Sequence, residues 1–226
     1  MDEKLKPLSV NEHTVTDSFG FVDDLQNIQV DDHRNLVSYN VSSLFTNVPV
    51  DETIKILAEK AFKDDWFNKE HGLHITKADL VELLNIATKN QLFQFERNLY
   101  EQVDGVAMGS PLGPLMANAF MCSIKERLLN QGKMPNFYKR YVDDTFSVMR
   151  NVEIGEAFLS TLNDSHPLIS FTMELATNGK LSLSGGVNRE THVPPGDKGA
   201  GIKSRQILNY YCIIKVVSMG DIKSHC

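Results

Sequence analysis

Apolar and polar residues alternate through Leu36-Val37-Ser38-Tyr39-Asn40-Val41, with Val37 and Tyr39 on one side and Ser38 and Asn40 on the other. A period of two predicts a strand. Ser42 and Ser43 follow, and Pro49 cannot continue a ladder, so 42–49 reads as a tight turn. From Asp51 to Phe62 the period lengthens. Ile54, Leu57, Ala58 and Ala61 share one helical face, and Asp51 and Glu52 suit the first turn. Residues 63–73 are polar and read as a connection. Thr76-Lys77-Ala78-Asp79 has capping-box spacing, and the helix it opens runs to Lys89 with Leu80, Leu83, Leu84 and Ala87 as its inner stripe. Leu92–Phe95 and Leu99–Val103 read as two strands around a turn at Glu96-Arg97-Asn98.

Between Asp104 and Pro114 stand three glycines and two prolines, which predict a shaped loop with backbone amides free to face a ligand. A helix follows over 112–129, with Leu115, Ala119, Cys122 and Leu129 near its inner face and Pro114 tolerated in its first turn. Asn136–Arg140 and Thr145–Met149 are aromatic and β-branched and predict a hairpin about Tyr141-Val142-Asp143-Asp144. Glu153–Leu162 reads as a helix, Ile169–Glu174 as a strand and 176–179 as a turn. Residues 1–35 are polar and acidic, a lead-in with one short helix near Val22–Asn27. This order of elements predicts an α+β fold with a mainly antiparallel sheet packed on helices.

The chain of 226 residues carries a net charge of −6, which argues against a binder basic over its whole surface. The segment 121–150 reverses that balance: Lys125, Arg127, Lys133, Lys139, Arg140 and Arg150 outnumber Glu126, Asp143 and Asp144. No apolar run is long enough to span a bilayer, and the N-terminus lacks a signal-peptide core, so an intracellular protein is expected. Cys122, Cys212 and Cys226 have no metal-ligand spacing and read as free thiols; His71 and His74 are an isolated pair.

The chemistry sits at Asp143-Asp144. Two adjacent carboxylates at a hairpin tip repel unless a cation offsets them, and Mg2+ favours carboxylates together with substrate phosphates. A solvated Asp-Asp turn is the plainer alternative. Three stretches then stand in fixed order: Tyr39-Asn40-Val41-Ser42-Ser43-Leu44-Phe45-Thr46-Asn47-Val48-Pro49, Gly105-Val106-Ala107-Met108-Gly109-Ser110-Pro111-Leu112 and Arg140-Tyr141-Val142-Asp143-Asp144-Thr145-Phe146. Together they resemble the palm of reverse transcriptases, of the Penelope-like retroelement type.

The resemblance spans about Lys6 to Leu183. It implies a polymerase-type palm over 36–183, after the lead-in of 1–35 and before a divergent tail of 184–226. It implies RNA-directed DNA synthesis by two-metal nucleotidyl transfer, with two Mg2+ or Mn2+ ions, an RNA template, a DNA primer and deoxynucleoside triphosphates, no membrane partner, and nuclear action. The carboxylates would be Asp143 and Asp144. The first motif would contribute Asn40, where the family has Asp, and the Val41 carbonyl. Phe45, Met108, Gly109, Ser110 and Pro111 would contact the nucleotide, and Lys180 matches a later lysine that protonates pyrophosphate.

Asn40 is the main departure, because an amide brings no charge to the metals, and impaired activity is expected from it. Gly113 stands where the family commonly has Ser. From the resemblance, the family's fingers are not expected in the first 35 residues, nor its thumb in this chain. The loop signals at Ser184-Gly185-Gly186 and 194–201, with the strand-like Ile207–Val217, suit a disordered or misjoined tail. Two other readings stay open: a catalytically dead remnant with weak nucleic-acid binding, and an unrelated metal-dependent phosphohydrolase.

Overall fold

The alternation at 36–41 becomes strand β1 (Asn35–Val41), which lies inside a four-stranded sheet. The structure, a computed structural model, describes residues 1–26, 35–107 and 109–176; for Ser18, Val22, Leu25 and Gln26 it describes the backbone alone. Met108, Lys180 and the tail of 184–226 therefore lie outside the described residues, as do three of the four residues of the turn expected at 176–179. The chain forms two compact units. One comprises Met1–Thr14, Val41–Met134 and Ser160–Phe171; the other comprises the described residues of Val15–Asn40, Pro135–Leu159 and those from Thr172 on.

The first unit is mainly helical. It contains α1 (Asp2–Leu5), a 3-10 turn (Lys6–Ser9), α3 (Leu44–Asn47), α4 (Val50–Ala61), a second 3-10 turn (Lys63–Asp65) and α5 (Trp66–His71). It continues with α6 (Lys77–Thr88), the ribbon of β2 (Gln91–Phe95) and β3 (Asn98–Gln102), and α7 (Gly113–Asn130). Helix α4 buries Ile54, Leu57, Ala58 and Ala61, the stripe its period predicted. Helix α7 is buried on nearly every side, from Leu115, Met116 and Ala117 through Phe120, Met121 and Ile124 to Leu128. It forms the core about which the unit packs, and the expected inner residue Leu129 is exposed. Lys60 of α4 meets Glu126 of α7 at 2.6 Å. The Cys122 thiol donates to the Ser9 carbonyl at 3.3 Å, which ties the N-terminal turn to α7.

The capping box of α6 is formed. The Asp79 amide donates to Thr76 Oγ1 at 3.2 Å, and the Thr76 amide donates back to the Asp79 carboxylate at 2.7 Å. These bonds, the backbone one first, hold the Asp79 carboxyl below the usual carboxylate range. Leu80, Leu84 and Thr88 are buried, whereas Leu83 and Ala87, expected inside, are exposed. Two further expectations are corrected. Residues 42–49 contain helix α3 rather than a simple turn, because Thr46 Oγ1 donates to the Ser43 carbonyl (3.0 Å) and Asn47 Nδ2 to the Ser42 carbonyl (3.2 Å). The polar connection of 63–73 contains α5, anchored by the buried Phe67 and ended by Gly72 in the left-handed region at φ +60.

The second unit contains α2 (Ser18–Gln26), β1, β4 (Tyr138–Tyr141), β5 (Asp144–Met149) and most of both α8 (Val152–Asn163) and β6 (Phe171–Leu175). The sheet order is β4-β5-β1-β6. Strand β5 runs antiparallel to β4 and to β1, its Asp144 opposite Tyr141 of β4 and its Ser147 opposite Val37 of β1. One face of the sheet meets α2, where Phe21 packs with Leu36, Phe146 and Val148, its ring edge-on to Phe146 at 5.9 Å. The other face meets α8, where Phe158 lies 5.3 Å from Tyr39 and 6.0 Å from Tyr138. The observed architecture is thus the α+β arrangement of helices and antiparallel sheet that the pattern predicted. Among the described residues no helix is long and apolar enough to cross a membrane.

Candidate functional site

The hairpin of β4 and β5 closes on two residues, Val142 and Asp143. Asp143 is therefore at the tip, half-buried, while Asp144 already belongs to β5 and is buried. The expectation of two carboxylates side by side at the tip is corrected in this respect. Val142 takes φ +55, a conformation costly for a β-branched residue. Arg140, fully buried, holds that turn by donating from Nη1 to the Val142 carbonyl.

Asn40 and Val41 end β1, the strand beside β5. Continuing the register of Leu36 opposite Val148 and Val37 opposite Ser147 brings Asn40 level with Asp144. Asn40 Oδ1 is buried and has no hydrogen-bond partner among the described residues. An orphaned buried acceptor costs about 1–3 kcal/mol, so it calls for a cause. A hard carbonyl-type oxygen on the strand beside Asp144 is a donor type that a divalent cation accepts. Among the described residues no three His, Cys, Asp or Glu side chains gather as a metal would need. A site drawn from Asp143, Asp144 and Asn40 would offer two carboxylates and an amide oxygen, one charge short of three carboxylates. Beneath it Tyr39 donates its hydroxyl to the Gly155 carbonyl at 3.0 Å. Burial first, and Tyr138 beside it second, push the Tyr39 hydroxyl well above the usual tyrosine pKa.

The remaining predicted residues lie in the first unit. Phe45 is half-buried in α3, and its carbonyl accepts from the Val106 amide at 2.8 Å. Its ring lies beside Gly113, where an added Cβ would meet Phe45 Cε1 at 3.7 Å. Gly109 and Pro111 are exposed and Ser110 is half-buried. The expectation of free amides in this loop is corrected. The Ser110 amide bonds the Ala107 carbonyl (3.0 Å), the Gly113 amide the Ser110 carbonyl (3.0 Å) and the Leu112 amide Ser110 Oγ (3.3 Å). The loop spends these donors on its own turns. His71 and His74 form no ligand pair: His71 Nε2 bonds the Lys4 carbonyl at 3.0 Å.

Sequence reading missed Arg140 as a buried support and Thr145 as a cross-strand bond. A basic residue beside an acidic turn gives no sign of burial, and a hydroxyl's partner on another strand has no local signature.

The α+β fold of helices and antiparallel sheet is one that solved telomerase structures share. Solved structures it is similar to include telomerases. One is telomerase from Candida albicans in complex with a TWJ fragment of telomeric RNA, with a TM-score of 0.58 and 14% identity over 81% of this chain and 36% of that one. Telomerase from Candida tropicalis is similar in its apo form, with a TM-score of 0.56 and 13% identity over 94% of this chain and 44% of that one. Its complex with the TWJ fragment matches with a TM-score of 0.57 and 13% identity, over 93% of this chain and 40% of that one. The chain thus spans less than half the length of these neighbours. No family model and no curated protein matches it.

Proposed function

We propose that the chain carries the palm of an RNA-directed DNA polymerase of the Penelope-like retroelement type. Asp143, Asp144, Asn40 Oδ1 and the Val41 carbonyl would hold two Mg2+ or Mn2+ ions. RNA template, DNA primer and deoxynucleoside triphosphates would be its partners. The contacts of Phe45, Met108, Gly109, Ser110 and Pro111 with the nucleotide are part of this proposal. The observation that carries it is the buried Oδ1 of Asn40, unpartnered among the described residues, on the strand beside Asp144.

When bound, such ions supply Lewis-acid charge at the phosphate and the attacking oxygen. Asp143 and Asp144 provide the negative charge that attracts them, and Asn40 provides an oxygen without charge. Arg140 holds the turn that presents Asp143. The missing charge makes the site slow rather than differently built. RNA-templated primer extension with Mn2+ tests the reading. Weak extension that disappears in Asp144→Asn is expected. Extension unchanged by that substitution would rule the site out.

A further inference from the structure

The β1–β5 ladder changes character beside the candidate ligands. Its backbone register runs through Asn35 opposite Met149, Leu36 opposite Val148 and Val37 opposite Ser147. At the next inward-facing position the partner of Tyr39 is a side chain. The Tyr39 amide donates to Thr145 Oγ1 at 2.7 Å, and Thr145 Oγ1 donates to the Tyr39 carbonyl at 2.7 Å. One hydroxyl therefore serves both main-chain groups of Tyr39, which uses its donor and one of its acceptor sites. Thr145 is buried, so water does not compete for these bonds.

We infer that Thr145 is a positioning residue whose hydroxyl clasp sets the spacing between the Asn40 amide oxygen and the Asp144 carboxylate. Tyr39 and Thr145 each immediately adjoin one of these groups in sequence. A hydroxyl inserted between two strands holds them at a defined distance without closing them to ladder contact. Among the described residues Asn40 Oδ1 is left without a hydrogen bond, as a ligand poised for a cation would be. A β-branched residue with a hydroxyl is suited to the place. Its methyl fills the strand surface while its restricted χ1 aims the oxygen. The inference rests on the metal-binding reading proposed above, and its test separates the two.

The test is Mn2+ binding to the full chain, followed by the loss of the free-ion electron paramagnetic resonance signal, with thermal unfolding recorded alongside. Thr145→Val keeps the shape and removes the clasp; Thr145→Ser keeps the hydroxyl. Loss of a group that orients a metal ligand weakens affinity by roughly 10–100-fold, the change expected for Thr145→Val. Thr145→Ser is expected to stay within about threefold of the parent, well inside that range. If Thr145→Val lowers the unfolding temperature while Mn2+ affinity stays at the parent value, the role is structural only and the inference fails. Should Thr145→Val not fold, Thr145→Cys takes its place, and binding equal to the parent overturns the clasp in the same way. If Asp144→Asn leaves Mn2+ binding unchanged, the metal-binding reading fails and the clasp fails with it. Binding lost in Asp144→Asn but retained in Thr145→Val leaves the site standing and removes only the clasp.

Discussion

Gly105 lies at φ +70, and a Cβ there would come within 2.5 Å of the backbone of Phe45 and Thr46. Backbone cannot yield as a flexible side chain can. Gly105→Ala is expected to destabilise the chain by about 3 kcal/mol, from left-handed strain and the clash together, as read by urea unfolding. Tyr39 works through its proton. Its neutral form is favoured in the folded chain, so the stabilisation is present below the unfolded pKa of 10.0 and is lost as pH rises through and beyond it. Stability should begin to fall near pH 10 and go on falling as pH rises further, and Tyr39→Phe should remove part of that fall. At neutral pH the same substitution should cost about 1 kcal/mol for the lost bond to the Gly155 carbonyl. Asn40 belongs to this scale as well. The gap between its amide and a carboxylate is one charge, on the strand beside Asp144.

At the scale of elements, the ribbon of β2 and β3 turns on Glu96 and Arg97, both left-handed at φ +48 and +68. Asn-Gly suits such a turn far better. Replacing the pair by Asn-Gly should stabilise the ribbon by about 1 kcal/mol and slow amide exchange at Phe93 and Tyr100 about fivefold. Helix α6 carries a pH-dependent cap. Asp79 is held below its ordinary 3.8, so its contribution is complete above that value and is lost as pH falls through the lowered one. Amide exchange at Thr76 and Asp79 should accelerate only in that acid range. Much of this layer was legible in the sequence. The capping box, the stripe of α4 and the alternation of β1 are local patterns, and each appears where the period placed it. The misses share a cause. Helices α3 and α5 are too short for a period and owe their shape to side-chain bonds and one buried Phe67. Leu83 and Leu129 have apolar side chains at helical spacing, but only the packing of neighbours decides which of two apolar faces is covered.

At the scale of the molecule, the order of strands and helices was enough to give the α+β class, a fold that the telomerase structures share. The site was legible as residue types but not as a geometry. Asn40, Asp143 and Asp144 are readable in the motifs. The step of Asp144 out of the turn into β5, and the Thr145 clasp, arise only when β1 and β5 lie side by side. The central claim is that these residues form a nucleotidyl-transfer site lacking one charge. Its most direct test is RNA-templated primer extension with Mg2+, comparing the chain with Asn40→Asp. If the absent carboxylate withholds about 4 kcal/mol from the transition state, the substitution should raise the rate roughly a thousandfold. An unchanged rate, or no extension by either protein, would contradict it.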